Sequence, residues 1–320
     1  MKTIDYPFLV SKLALTSNIA IITHINPDGD AVGSALALFN FFKQSNHKVN
    51  VIIPNGIPNF LSWLPSADKI IFGSKHFDLC KEIISKADFI FCVDFNSIDR
   101  MNKFSDEYQK SNAIKILIDH HPNPGNFSDF IYSDTNVSST AEMIYNFIKE
   151  SGQENKIDKD ISECLYVGII TDTGSFSYSS NNAETYRITA ELLKYKINPQ
   201  QIHNLIYDTF SENRLRLLGY CLSDALTVLP DYKTAYIALS KDDLKKFNYQ
   251  TGDTEDFVNY PISIKNIIYS ALFMELGNEI KISFRSKGDN PVNDFAAKYF
   301  NGGGHKNAAG GSYKASLADT

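Results

Sequence analysis

The sequence predicts an α/β protein. A mostly parallel, helix-covered sheet fills the first part of the chain, a second, smaller α/β domain follows, and the active site lies in the cleft between them. Three observations predict this. Short apolar runs alternate with segments of helical periodicity through residues 1–190, the pattern of a parallel sheet wrapped by helices. Strand-like runs resume after a purely helical stretch, so a second sheet begins there. Acidic and histidine-bearing segments fall just after the apolar runs, and such sheets bind ligands beyond the carboxyl ends of their strands.

Taken in order, residues 18–23 (NIAIIT) read as a buried strand and 31–42 (AVGSALALFNFF) as an apolar helix. Strands are expected at 49–53, at 88–93 (DFIFCV) and at 113–118 (AIKILI), each between segments with helical potential. Helices are expected at 137–150 and at 161–170, the second delivering Thr171 and Asp172 at its carboxyl end. Helices at 183–195, 199–207 and 211–225 connect to the second domain. Its strands are expected at 225–229, 234–239, 266–275 and 279–285, and a helix over 294–300 runs into a glycine-rich loop. The expected division is a first domain at 1–195, a helical connection at 196–215 and a second domain at 216–320.

Composition bounds the function. A chain of 320 residues suits about two domains of ~150 residues each, and 43% hydrophobic residues suffice for a core in each. The net charge of −6 and a pI near 5.7 argue against binding long duplex DNA, which needs a broad basic face. Small phosphorylated substrates are not excluded, because bound metals reverse the local sign in an acidic cleft. Cys80, Cys92, Cys164 and Cys221 form no Cys-x-x-Cys, which favours buried thiols in a reducing cytoplasm. Asp5 interrupts the N-terminal segment, which carries no signal-peptide pattern, and no apolar run reaches the ~20 residues of a membrane span. A cytoplasmic location away from membranes is expected.

Five segments carry the chemistry. His24-x3-Asp28-x-Asp30 follows the first strand, with Pro27 stiffening the loop and Gly29 letting it turn. A helix cap at Asp30 and a turn at Pro27-Asp28-Gly29 account for the aspartates but leave His24 unexplained. Gly33-Ser34 at the helix start either eases the approach of an anion or only packs closely. Asp94 ends a strongly apolar strand; a lone aspartate there commonly caps a turn, yet its sheet edge is the one His24 occupies. Asp119-His120-His121 ends the next strand, and adjacent extended residues point to opposite sides, so one histidine faces a given metal and the other serves nearby. Asp172-Thr173-Gly174-Ser175 matches the tetrapeptide of aspartic proteases, but those need two such aspartates and this chain has one. A helix-ending turn at Gly174 is the plain alternative. Carboxylates and imidazoles together are the ligand set of hard to borderline divalent metals such as Mn²⁺. They point to a two-metal site that hydrolyses a phosphoester.

The fifth segment, Gly302-Gly303-Gly304-His305 and the residues to 311, is neither a Walker loop nor a dinucleotide fingerprint. Its backbone N–H groups are expected to converge on an anion, helped by a helix starting near Asn307; a flexible bend is the alternative. Arg285, in Ser283-Phe284-Arg285-Ser286, offers a guanidinium suited to phosphate, or is an ordinary edge arginine.

In combination these motifs resemble the DHH phosphoesterase superfamily, named for Asp119-His120-His121. His24 through Ser34 (HINPDGDAVGS) is similar to its opening motif, Asp94 to its second and Asp172 to its fourth. The stretch Phe284-Arg285-Ser286 and residues 302–311 resemble its DHH-associated C-terminal domain. The resemblance covers nearly the whole chain, and the subgroup it is most similar to is the bifunctional oligoribonuclease and 3′-phosphoadenosine-5′-phosphate (PAP) phosphatase type. Family members usually run somewhat beyond the equivalent of Thr320, which suggests a shortened C-terminus. The resemblance implies two divalent ions, usually manganese. His24, Asp28 and Asp94 would hold one, and Asp30, Asp94, His120 and Asp172 the other, with Asp94 bridging and taking part in catalysis. His121 would orient the phosphate or assist proton transfer. Arg285, Ser286, Gly302, Gly303, Gly304 and His305 would bind substrate.

The implied substrates are short single-stranded RNA or small adenine nucleotides, and a homodimer is compatible with the sequence. Hydrolysis of cyclic or linear di-adenylates is an alternative that the catalytic motifs do not separate. An inorganic pyrophosphatase is disfavoured by the glycine-His305 motif. A silent nucleotide sensor is disfavoured by the full ligand set and by the lack of an aromatic-basic RNA-binding pattern.

Overall fold

The computed structural model describes residues 6–178 and 181–320; Asp5 lies outside them. The chain divides into two compact units, Met1–Asp208 and Thr209–Thr320.

In the first unit α1 (Tyr6–Leu13), β1 (Asn18–Ile22), α2 (Gly29–Phe42), β2 (Lys48–Ile53), β3 (Ile71–Phe72), α3 (Phe77–Lys86), β4 (Phe89–Val93), α4 (Ser105–Lys110), β5 (Ile114–Asp119) and β6 (Phe130–Ser133) follow one another. Then come four helices, α5 (Thr140–Glu150), α6 (Lys159–Asp172), α7 (Ala183–Leu193) and α8 (Pro199–Tyr207). The strands form one sheet in the order β3-β2-β1-β4-β5-β6, and every pair is parallel. The near-continuous apolar runs are explained by burial on both faces. Ile19, Ile21, Phe89, Phe91, Ile116 and Ile118 face a core shared with α2, α5, α6 and α7. Ala20, Ile22, Ile90, Cys92 and Leu117 face the opposite core, under α3 and α4.

This sheet matches the expected fold, and its main strands match to within a residue at each end. The two short strands β3 and β6 were not expected. α5 begins at Thr140 rather than at 137, because Ser139 caps it by accepting from Glu142 N at 3.2 Å.

The second unit holds α9 (Glu212–Ser223), β7 (Leu226–Leu229), β8 (Thr234–Leu239), α10 (Lys241–Lys246), α11 (Asn259–Ile262), β9 (Tyr269–Leu276), β10 (Glu279–Ser286), α12 (Asn293–Tyr299), β11 (Gly303–His305) and β12 (Ala308–Tyr313). Its mixed sheet runs β11-β12-β10-β9-β8-β7, with β8–β9 parallel and the other pairs antiparallel. Leu217, Cys221, Ile237 and Leu272 form a core on one face, and Ile280, Ile282, Phe284 and Ala296 another.

Here one expectation fails. No helix starts near Asn307. Lys306 and Asn307 turn a tight hairpin between β11 and β12, and β12 pairs along β10 from Ile280↔Tyr313 to Arg285↔Ala308. The glycines make that pairing possible. A Cβ on Gly302 would lie 1.9 Å from Gly310 O, and Gly304 has φ +137°, which favours glycine.

Candidate metal centre

β1, β4 and β5 end side by side, so the loops after them converge although their residues are far apart in sequence. The first loop is shaped by Asp28, which caps α2: its Oδ1 accepts from Asp30 N and Ala31 N, both at 3.1 Å. The cap is therefore Asp28 rather than Asp30. Asp30, inside the first turn, is buried and points instead to α5, where its Oδ2 accepts from Thr140 N at 2.6 Å and its Oδ1 from Ala141 N at 2.8 Å. Gly33 serves close packing, since a Cβ there would lie 2.5 Å from Cys164 O on α6. Ser34 Oγ donates to Asp30 Oδ1 at 3.3 Å.

Asp94 follows β4 with φ +67°, an uncommon conformation for a side-chain-bearing residue. Its N–H donates to Ile118 O at 3.1 Å, which ties the turn to β5. The carboxylate is buried, and its two oxygens face different neighbours. Oδ2 lies 3.6 Å from His24 Nε2, while Oδ1 lies 3.7 Å from His120 Nε2 and accepts from Thr140 Oγ1 at 2.9 Å. A backbone outlier that aims a buried carboxylate at two imidazoles points to function.

His24 Nδ1 lies 2.8 Å from Ile25 O and 3.0 Å from the Arg100 guanidinium. Nδ1 either donates to Ile25 O or accepts from Arg100, and it is the first state that turns an Nε2 lone pair toward Asp94. His120 Nε2 lies 3.5 Å from Asp172 Oδ2 and 3.8 Å from Asp30 Oδ2. Asp172 is the last residue of α6, where the helix dipole disfavours a negative charge and a cation relieves it. His121 Nδ1 donates to Asp119 Oδ1 at 2.7 Å, and Asp119 is fully buried at the end of β5.

Within this unit these side chains form three groups, the ligand atoms of each lying within 4.8 Å of one another: His24, Asp28 and Asp94; Asp30, His120 and Asp172; and Asp94, Asp119 and His121, the first and last sharing Asp94. The imidazole–carboxylate spacings of 3.5–3.8 Å are too long for hydrogen bonds. They suit donor atoms on a common cation, which at about 2.1 Å from the ion lie roughly 3–3.5 Å apart.

The electrostatics agree. Burial and the neighbouring Asp28 push Asp94 up to about 8. Burial and the charges of Asp94 and Asp28 raise Asp30 well above the usual carboxylate range. Burial and the charge of Asp30 do the same to Asp172. Burial pulls His24 down to about 4, so at neutral pH it is in the form that ligates metals. Burial also opposes charge on His121, but the Asp119 bond and the charges of Asp94 and Asp172 outweigh it and hold the ring near protonation, at about 9. The donor set fits divalent cations: crowded carboxylates lack countercharge, and the Nε2 atoms of His24 and His120 lie among them.

A family model described as the DHH family, N-terminal domain, matches residues 18–169, and one described as the DHHA1 domain matches 231–319. A crystal structure of an exopolyphosphatase-related protein from Bacteroides fragilis superimposes with a TM-score of 0.94 at 42% identity, covering 98% of this chain and 92% of that one. The chain belongs to the DHH family. It is a two-domain DHH–DHHA1 phosphoesterase. The bifunctional oligoribonuclease and PAP phosphatase NrnA of Bacillus subtilis is 29% identical over 305 residues, 95% of this chain and 92% of the relative. Exonuclease RecJ bound to manganese shares the fold, with a TM-score of 0.51 at 12% identity over 99% of this chain and 92% of that one.

All of the expected ligands in this DHH domain, His24, Asp28, Asp30, Asp94, His120 and Asp172, fall in these groups. The DHHA1 residues are more divided. Arg285 lies on β10 opposite Ser270 of β9 and Ala308 of β12, and His305, on β11, also lies opposite Ala308. The Ser286 hydroxyl donates to Asn290 O and accepts from Asn307 Nδ2 at 2.8 Å, holding the β10–α12 loop. The Gly302 N–H donates to Ala296 O at 3.1 Å and so caps α12. Of Gly302, Gly303 and Gly304, Gly303 is the one with open space where a Cβ would stand.

The sequence reading placed Asp119 among the residues converging on this sheet edge without pairing it to His121, and gave no role to Arg100 or Thr140. The Asp119–His121 spacing signals that pairing, since alternate residues after a strand share a side. Ser139-x-x-Glu142 signals the helix start that delivers Thr140. Nothing local signals Arg100.

Proposed function

We propose that this protein is a manganese-dependent hydrolase of short oligoribonucleotides and of PAP, acting in the cytoplasm. The observation that carries the reading is Asp94, one buried carboxylate whose two oxygens face two separate ligand groups. His24, Asp28 and Asp94 would hold one ion, and Asp30, Asp94, His120 and Asp172 the other. A pair of such ions lowers the pKa of water and offsets phosphoryl charge. The substrate class draws support from the name of the B. subtilis relative, which aligns over 95% of this chain. The four cysteines are free and buried, which fits a reducing compartment. No helix among the described residues is long and apolar enough to cross a membrane.

The chain's own residues do the remaining work. Asp119 fixes the orientation of His121 by engaging its Nδ1–H, and Nε2 is the atom assigned to the phosphoryl group. Held protonated, His121 donates to the oxygen that leaves when the P–O bond breaks. When cations offset Asp94 and Asp172, this protonation rests on Asp119. His24, kept neutral by burial, does not compete for that proton. Arg285, Gly303 and His305 are assigned to substrate binding.

The test compares kcat/KM for Mn²⁺-loaded protein on a five-nucleotide RNA, a linear di-adenylate, PAP, cyclic di-adenylate, pyrophosphate and short polyphosphate. The proposal expects the RNA and PAP to lead. Preference for cyclic di-adenylate, pyrophosphate or polyphosphate overturns the substrate assignment. Full activity after chelation overturns the metal centre.

A further inference from the structure

Both sides of the paired carboxylates Asp30 and Asp94 are gripped by one residue outside every ligand group. Thr140, fully buried at the first position of α5, donates its N–H to Asp30 Oδ2 at 2.6 Å and its hydroxyl to Asp94 Oδ1 at 2.9 Å. Asp30 stands at the start of α2 and Asp94 after β4, so Thr140 ties together two carboxylates that are far apart in the chain.

Thr140 is itself held. Ser139 caps the helix, and Glu142 Oε2 accepts from Ser138 N at 3.2 Å, Ser138 Oγ at 2.9 Å and Thr185 Oγ1 at 2.9 Å. All five side chains are buried. The amino end of α5 also brings its positive dipole to the carboxylates.

We infer that Thr140 is a positioning residue that sets how Asp94 divides its two oxygens between the two ligand groups. This rests on the metal-centre reading above. The hydroxyl engages one lone pair of Oδ1 and so fixes the carboxylate's rotation about its Cβ–Cγ bond. Oδ1 is thereby kept toward His120, and Oδ2 toward His24. Without that bond the carboxylate rotates, and the share it gives to the His120 side is lost first, because Oδ1 is the atom released. The Thr140 N–H to Asp30 survives any side-chain change, so the effect isolates the hydroxyl.

The test is Thr140→Val, which removes the hydroxyl at nearly constant shape, with Thr140→Ser restoring it and Thr140→Ala in reserve should valine prevent folding. Mn²⁺ binding is followed by calorimetry, and the spin-coupled ion pair by electron paramagnetic resonance. The wild-type protein is expected to take two ions. Thr140→Val is expected to lose about 10–100-fold in affinity at one site, the range typical of partners that orient metal ligands, and to lose the coupled signal. Thr140→Ser recovers both, and the metal-free melting temperatures stay close together. Wild-type-like binding at both sites in Thr140→Val and Thr140→Ala overturns this inference alone, as does an equal loss at both sites. A wild-type protein that takes no ion pair overturns the metal centre with it.

Discussion

Replacing Asp94 with Asn separates a residue kept for function from one kept for stability. Asn has the same shape and, like Asp, tolerates the positive φ of +67° at this position, so the backbone is not the variable. What changes is the charge. In the metal-free protein burial and Asp28 push Asp94 from its ordinary value of 3.8 to about 8. The folded state thus holds this proton more tightly than the unfolded chain does. Its stability contribution is fully present below pH 4 and is lost as pH rises toward 8. At about 1.4 kcal/mol per pH unit, the ceiling on that loss is about 5 kcal/mol at pH 8. Asp28, Asp30 and Asp172 share the same crowding, so removing one charge recovers a fraction, on the order of 1–3 kcal/mol. For a unit of this size that corresponds to a melting temperature higher by roughly 2–10 °C. The assay is thermal unfolding at pH 6 and pH 8, after chelation and with Mn²⁺. Wild type should melt lower at pH 8 than at pH 6 without metal and should gain more from Mn²⁺ at pH 8. Asp94→Asn should melt higher than wild type at pH 8 without metal, gain little from Mn²⁺, and lose kcat/KM by at least about 100-fold. A metal-free Asp94→Asn protein less stable than wild type at pH 8, with its Mn²⁺ response intact, would refute the reasoning and make Asp94 a structural hydrogen-bonding residue.

Two other changes probe the supports of the centre. Asp119→Asn removes the charge that holds His121 protonated, so the alkaline limb of the kcat profile should move to lower pH, with about 10-fold less activity at pH 8; an unmoved limb would show that His121 does not depend on Asp119. Gly168→Ala places a methyl 2.5 Å from Ala141 Cβ and 2.8 Å from Asp30 Oδ1, and should destabilise the protein by about 1–3 kcal/mol while weakening Mn²⁺ binding, both read by melting with and without the ion.

The first sheet was legible because its strands are buried on both faces. A residue such as Phe91 or Leu117 is apolar whichever side it faces, so the runs stand out and their ends coincide with the first polar ligands. Two-residue β3 and four-residue β6 were not legible, since so few residues carry no period. The glycine segment misled for another reason. Ala308-Ala309-Gly310-Gly311 reads locally as a chain able to enter a helix, but its small side chains serve to let β12 lie against β10 and the Phe300 backbone. The place of Ser286 was not legible either: alternation along β10 turns it away from the face of Arg285, into the loop that Asn307 closes.

By itself the sequence determined which atoms are available for the chemistry, because carboxylates and imidazoles after apolar strands are a property of residue type and order. It also determined the parallel sheet that brings those strand ends together. Only the tertiary structure decided how the donors are shared. That Asp94 presents one oxygen to His24 and the other to His120, that Asp119 is spent on His121, and that Thr140 reaches two carboxylates from another helix all follow from distances and torsions. Such geometry is fixed by the packing of elements remote in the chain, which no local pattern encodes.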